Sequence, residues 1–286
     1  MSAPVLVAVI GPVEPPLLLA WITHYRRLGI DRFLIAFHFP DHAPLARQHD
    51  LQAVAREAGV TPHATSRGAW HEHTNTRLRD ELRQAAGPGW HLIADADEFH
   101  HYPVPVGEVI ASAESGGHRV VGGLLLDRVA ADGRLVDWTR LGPLDRVYPL
   151  GGHLSHRLLH ADPRKIVLAR HHVPLASGNH RAHGYRPDVG HLVPVHHFKW
   201  RAGVLDDLQA RVRHFSSSAW REDSPAVREE AGRFLDHVAH HGGVVNIADP
   251  RLAFRRVTLD ETPTRWTTEA RSIHATWQPP APSRHD

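Results

Sequence analysis

Two short apolar runs set a helical length apart constrain the fold of this chain more than any other feature. VLVAVI at 5–10 is unbroken and rich in β-branched residues, the pattern of a strand buried on both faces. Gly11 and Pro12 end it. A helix opens at Pro15 and Pro16, carries Leu18, Trp21, Ile22, Tyr25 and Leu28 at helical spacing, and stops at Gly29. RFLIAF at 32–37 reads as the second strand. A second helix follows from Pro44 to Ala58, with Leu51, Val54 and Ala58 on one face and Gly59 behind it. Strand, helix, strand, helix predicts parallel strands joined by right-handed crossovers, hence an α/β fold.

Downstream, a third helix is expected over 74–86, broken by GPG at 87–89, and WHLIAD at 90–95 reads as a strand. Further strands fit 119–126, 165–169 and 191–198, between loops rich in Gly, Pro and His. Beyond Trp200 the pattern turns amphipathic and helical, over 204–215 and 225–240, the second helix with Ser224 as N-cap and Pro225 as its first residue. The expected organisation is a domain over 1–200, a helical C-terminal extension over 201–275 packed on it, and a disordered tail over 276–286. No internal repeat is present.

At 286 residues with 42% hydrophobic content the chain can bury a substantial core. It has no Cys, which excludes disulfides and thiolate metal sites and suits a reducing cytosol. The N-terminal apolar run lacks a basic segment before it and is too short to span a bilayer, and no later window is long enough. A soluble, cytoplasmic protein is expected, at most peripheral to the inner membrane face. The formal charge at pH 7 is only +2, but protonating all 27 His would add 27 charges, so solubility should change steeply below about pH 6.5. No dense Lys/Arg stripe with interleaved aromatics supports nucleic-acid binding.

Within HLIADADEFH at 91–100, Asp95, Asp97 and Glu98 place three carboxyl groups in four residues with no cation among them. Such crowding requires solvent screening or a positive group between them. In an extended segment Asp95 and Asp97 would point the same way, with Glu98 turned aside to brace a loop. Two carboxylates at the carboxyl end of a buried strand stand where open α/β sheets bind ligands, and their oxygens suit Mg²⁺ or Mn²⁺ bridging to phosphates. The same pattern also describes a solvated acidic turn.

The stretches VIGPVEPPLLLAWITHYRRLGIDRFLIAFHFPD, WHLIADADEFH, LLLDRVAADG, KIVLAR with SGNHR, and VPVHHFKWR follow one another in order. Together they resemble glycosyltransferase family 2-like proteins, whose signature ends in a D-x-D-E-[FY] strand terminus. The resemblance implies a GT-A fold, a Rossmann-like mixed sheet flanked by helices. It also implies a UDP- or GDP-sugar donor, a carbohydrate or other hydroxyl acceptor, and Mn²⁺ or Mg²⁺ as cofactor. It makes Asp97 the direct metal ligand, with Asp95 reaching the ribose or the metal through water. VPVHHFKW offers a later metal ligand; His196 and His197 point to opposite faces, and the family pattern of a His before an aromatic selects His197.

Glu14 and Asp41 follow the first two strands, where base and ribose contacts fall in such a fold. The chain departs from the family here, with Val13 where an Asn is usual and a lone Asp41 where a D-N or D-D run is usual. His180 and Arg181 of SGNHR either contact donor phosphates or hold their own loop. Asp127, at the end of VGGLLLD, is the candidate general base for inverting transfer, or else a partner for Arg128 or another Arg. HEHTN at 71–75 is read as a loop, because His71 and His73 are two apart and diverge on a helix, unlike zinc-protease ligands.

The leading expectation is thus a metal-dependent, hexosyltransferase-like enzyme, plausible in surface polysaccharide assembly. A His/Asp metallohydrolase of phosphate esters and a non-catalytic binding domain are the alternatives. The sugar, the acceptor and the oligomeric state are not written in the sequence.

Overall fold

The apolar runs become strands and the amphipathic stretches helices in a computed structural model that describes residues 3–138, 142–221 and 224–277. The strands are β1 Val5–Ile10, β2 Phe33–Pro40, β3 Ala64–Gly68, β4 Trp90–Ile93, β5 Glu98–His100, β6 Val120–Val129, β7 Leu150–Gly152, β8 Arg164–Arg170, β9 Asp188–His197 and β10 Arg255–Arg256. The helices are α1 Pro15–Arg27, α2 Leu45–Glu57, α3 Glu72–Ala86, α4 Val106–Ser115, α5 Leu144–Val147, α6 Leu154–Arg157, α7 Val204–Ser216, α8 Ala226–His240 and α9 Thr264–Ala275.

The chain divides into two units that interleave in sequence. The first comprises Met1–Leu124, Arg164–Val195 and Thr262–Asp286, the second Leu125–Pro163 and His196–Glu261. The composition change at residue 200 therefore does not coincide with the observed division. Strands β6 and β9 each run from one unit into the other, and a contiguous reading of the chain cannot register that. Thr276 and Trp277, placed in the tail by composition, are ordered, Thr276 at the C-cap of α9 and Trp277 2% exposed in the first unit's core; residues 278–286 lie outside the described residues.

In the first unit the sheet runs β3-β2-β1-β4, all parallel, then continues antiparallel through β8 to the first half of β6. This is the expected mixed α/β sheet flanked by helices. Val7 pairs with Leu34 on one side and Ile93 on the other, so β1 is central and reads as continuous apolar sequence. Helix α3 packs on β1 and β2, burying Leu78 and Leu82 against Val5, Val7 and Ile93. β3, ATSRG, carries no apolar alternation and is the terminal strand of the order, which is why the sequence pattern missed it. Helix α4 was legible but unread: Val106, Val109, Ile110 and Ala113 are its buried face at helical spacing.

The second unit holds the end of β6, antiparallel to β7, with β10 on β7's other edge. The expected helices of the extension are α7 and α8, packed on each other around Trp200, Leu208, Ala231 and Phe234. Pro225, rather than Ser224, stands at the cap of α8, and no side-chain capping bond forms there.

Candidate active site

In the first unit the strand order reverses at β1, whose neighbours are β2 on one side and β4 on the other. Chain connections leave in opposite directions from such a switch point, opening a crevice beyond the carboxyl ends of the two strands. The loop from Gly11 to Glu14 follows β1, and the acidic cluster follows β4. β4 stops at Ile93, and the chain then turns, Glu98 N–H donating to Asp95 O at 3.0 Å. The extended run expected through Asp95 and Asp97 is therefore replaced by a turn, in which both are partly exposed and Ala96 is buried. Helix α1 anchors the far side: the Tyr25 hydroxyl donates to Glu98 O at 3.0 Å, and His24 Nε2 bonds His100 O at 2.9 Å.

Of the two ways to relieve the crowding, the structure supplies a positive group against Asp95 and Glu98: Lys165, from β8. Its Nζ lies 2.7 Å from Glu98 Oε1 and 3.1 Å from Asp95 Oδ2, and donates to Gly178 O at 2.7 Å. The side chains of Lys165 and Glu98 are 3% and 2% exposed, whereas that of Asp95 is 44% exposed. Burial alone would lower the Lys165 pKa; Asp95 and Glu98 outweigh it and hold the ammonium above its ordinary range. Glu98 does brace a loop, as expected, but from a buried position: its Oε2 accepts the Asp95 N–H at 3.3 Å.

Lys165 also draws in the SGNHR loop. Gly178 takes φ 66°, and a Cβ there would lie 2.5 Å from the His180 ring, so the turn that presents the Gly178 carbonyl needs glycine. His180 Nδ1 bonds Arg164 O at 2.8 Å. Arg79 of α3, buried, donates to Leu175 O, Ala176 O and Asn179 Oδ1 at 2.7–2.9 Å, and Arg83 to Val173 O and Arg170 O at 2.7 and 2.8 Å. The β8–β9 connection that carries His180 and Arg181 is thus held by two buried guanidiniums and one ammonium. Glu14 stands at the cap position of α1 without a side-chain capping bond; Asp41 is exposed after β2, its carbonyl accepting from Arg67 Nη2 at 2.7 Å. HEHTN is no loop: α3 starts at Glu72, with His71 at its cap.

In the second unit Asp127 is buried and saturated. Its Oδ1 accepts from Ser155 Oγ at 2.7 Å, Trp200 Nε1 at 2.8 Å and His197 Nδ1 at 3.0 Å, and its Oδ2 from Ser155 N at 2.7 Å. Burial would raise its pKa, but the bonds from His197, Trp200 and Ser155 prevail and hold it below the usual carboxylate value. Donation from Nδ1 leaves the lone pair of neutral His197 on Nε2. His196 faces the other way, accepting at Nδ1 from Arg128 Nη1 at 3.0 Å. Arg128 pairs with Asp145 at 2.7 Å, so the suspected Asp127–Arg128 bridge is replaced by Asp127–His197.

Sequence reasoning thus named Asp95, Glu98, Asp127 and His197 but missed Lys165, Ser155, Trp200, Arg79 and Arg83. One signal was available: only two of the 33 Lys and Arg are lysines, Lys165 and Lys199, and both fall in the quoted motifs. Among the described residues no three His, Asp or Glu are grouped to hold a metal ion, and no helix is long and apolar enough to cross a membrane.

No family model matches the chain, and no curated protein does. Among solved structures, it is similar to S. aureus TarS 1-349, at 13% identity and TM-score 0.29, over 82% of this chain and 72% of that one. The complex of TarS 1-349 with UDP gives 11% identity and TM-score 0.29 over the same shares. The mannosyltransferase PcManGT from Pyrobaculum calidifontis, in complex with GDP-Man and Mn²⁺, gives 13% and 0.35, over 97% of this chain and 77% of that one. All three likenesses have TM-scores below 0.5.

Proposed function

We propose that this chain is a glycosyltransferase that moves a sugar from a UDP- or GDP-sugar to a carbohydrate or other hydroxyl acceptor, in surface polysaccharide assembly. The observation that carries the reading is the Asp95–Glu98 turn at the carboxyl end of β4, beside β1 where the parallel strand order reverses. That is the crevice in which such sheets hold nucleotides.

Mn²⁺ or Mg²⁺ is the proposed cofactor. The described residues form no all-protein cage, which fits a hard cation that takes one or two carboxylates and completes its shell with water and donor phosphates. Asp97 is proposed as the direct ligand, with Asp95 acting through water or the ribose. When bound, the ion supplies Lewis-acid stabilisation of the departing diphosphate. His180 and Arg181 are proposed on the phosphate side, and Glu14 and Asp41 on the nucleoside side. Asp127 is too fully engaged to serve alone as the base. It lies in the second unit together with its hydrogen-bond partner His197, and no general base is assigned.

Thermal unfolding with UDP, GDP, ADP and CDP, each with and without Mn²⁺, tests the reading. A ligand at 100 times its Kd stabilises by about 2.7 kcal/mol. One nucleoside diphosphate should raise the midpoint, more so with Mn²⁺, and Asp97→Ala should abolish the metal-dependent part. No shift with any nucleotide would count against the transferase.

A further inference from the structure

The ammonium of Lys165 has three N–H groups, and all three are used: Glu98, Asp95 and the Gly178 carbonyl. Two acceptors belong to the acidic turn and one to the 177–181 loop, which follow different strands. The residue is chemically specific. This chain relies on Arg almost everywhere, yet uses Lys here, where a compact point charge fits a buried three-acceptor cradle and a planar fork does not.

We propose that Lys165 is a positioning residue of the donor site. Its ammonium serves as the resident cation for Asp95 and Glu98, and it ties the loop carrying His180 and Arg181 to the acidic turn. The metal role at Asp95 is thereby indirect, and the tie between the acidic turn and the 177–181 loop, on which nucleotide affinity draws, runs through this side chain. The donor-site part rests on the transferase reading above; the tie between turn and loop does not.

Hydrogen exchange resolved by residue tests the tie. Lys165→Met alone strands the buried Glu98 charge and risks unfolding, so the variant used is Lys165→Met with Glu98→Gln, which replaces the buried ion pair by neutral groups. The expected result is a urea midpoint near the wild type, with amides of 177–181 exchanging at least tenfold faster and those of α8 unchanged. Lys165→Arg, which keeps the charge, should not restore protection. Unchanged protection of 177–181 in the double variant overturns the tie, and full protection in Lys165→Arg overturns the requirement for an ammonium there.

Two binding measurements test its meaning for the donor. Nucleoside diphosphate affinity, UDP and GDP each with Mn²⁺, should fall about tenfold in the double variant although its ligand-free stability is preserved; unchanged affinity overturns the positioning role. Mn²⁺ affinity, read from the electron paramagnetic resonance of the free ion, should change less than about threefold in Asp95→Asn. A loss of tenfold or more there makes Asp95 a direct ligand and overturns the resident-cation assignment. If the wild type binds neither nucleotide nor Mn²⁺, the transferase reading and the donor-site part fall together, and the exchange data alone decide the tie.

Discussion

Asp127→Asn changes one oxygen to an amide nitrogen at a buried carboxylate of the second unit. The carboxylate accepts four hydrogen bonds from Ser155, His197 and Trp200, all at 3.0 Å or less, with 1% of its side chain exposed. Asparagine can keep its carbonyl at the Oδ1 position, where three bonds survive without their charge assistance. Its amide then meets the Ser155 N–H, two donors facing each other at a position where 2.7 Å separates donor from acceptor. A buried unsatisfied donor costs about 1–3 kcal/mol, and each bond to a charged group that becomes neutral loses roughly 1 kcal/mol. Relief from burying a charge offsets part of this, leaving a net destabilisation of about 2–4 kcal/mol. Urea unfolding followed by tryptophan fluorescence is the assay, since the Trp200 indole is itself a partner and packs with its ring centroid 4.3 Å from that of Phe234. With a slope of roughly 1–3 kcal/mol per molar urea, the midpoint should fall by about 1 M or more. Ser155→Ala, which removes only the hydroxyl bond, should cost about 1 kcal/mol. An Asp127→Asn variant within about 0.5 kcal/mol of wild type would refute the idea that this carboxylate organises Ser155, His197 and Trp200 around it.

Three other outcomes follow from the geometry. Gly133→Ala should destabilise the second unit by more than about 2 kcal/mol, because φ is +75° there and a Cβ would stand 2.1 Å from the Val245 carbonyl oxygen; calorimetry showing an unchanged unfolding midpoint would contradict the close approach. His91, fully buried, has its pKa lowered to about 4, chiefly by burial, so the unfolded chain takes up a proton below about pH 6.5 that the folded chain refuses down to about 4. Stability therefore falls as pH drops through that window, by about 2 kcal/mol between pH 7 and 5 from this group, and His91→Asn should show that much less loss between urea midpoints at the two pH values. Arg83→Met should cost about 1–3 kcal/mol through the buried Val173 carbonyl that loses its Arg83 donor, Arg170 O keeping the Val173 N–H, and limited proteolysis should cut the 171–187 connection first; cleavage elsewhere would argue against that clamp.

The sequence by itself determined the alternation of strands and helices up to β4, β3 excepted, because that information is local: apolar period, a proline at the first turn, a glycine at the stop. It also determined that Asp95, Asp97 and Glu98 need solvent screening or a positive partner, since three carboxylates in four residues repel whatever the fold. Tertiary structure decided which partner. Lys165 is 70 residues from Asp95 and meets it only because β8 pairs antiparallel with β4, a register that no spacing in the chain encodes. The conversion of the expected extended D-x-D into a turn was settled in the same way, by Lys165 on one side and Tyr25 of α1 on the other. For Asp127 the sequence placed the residue at the end of an apolar strand but offered neighbouring Arg128 as its partner. Successive residues of a strand point to opposite faces, so Arg128 turned to Asp145 while Asp127 met His197, Ser155 and Trp200 from segments that only the folded chain brings together.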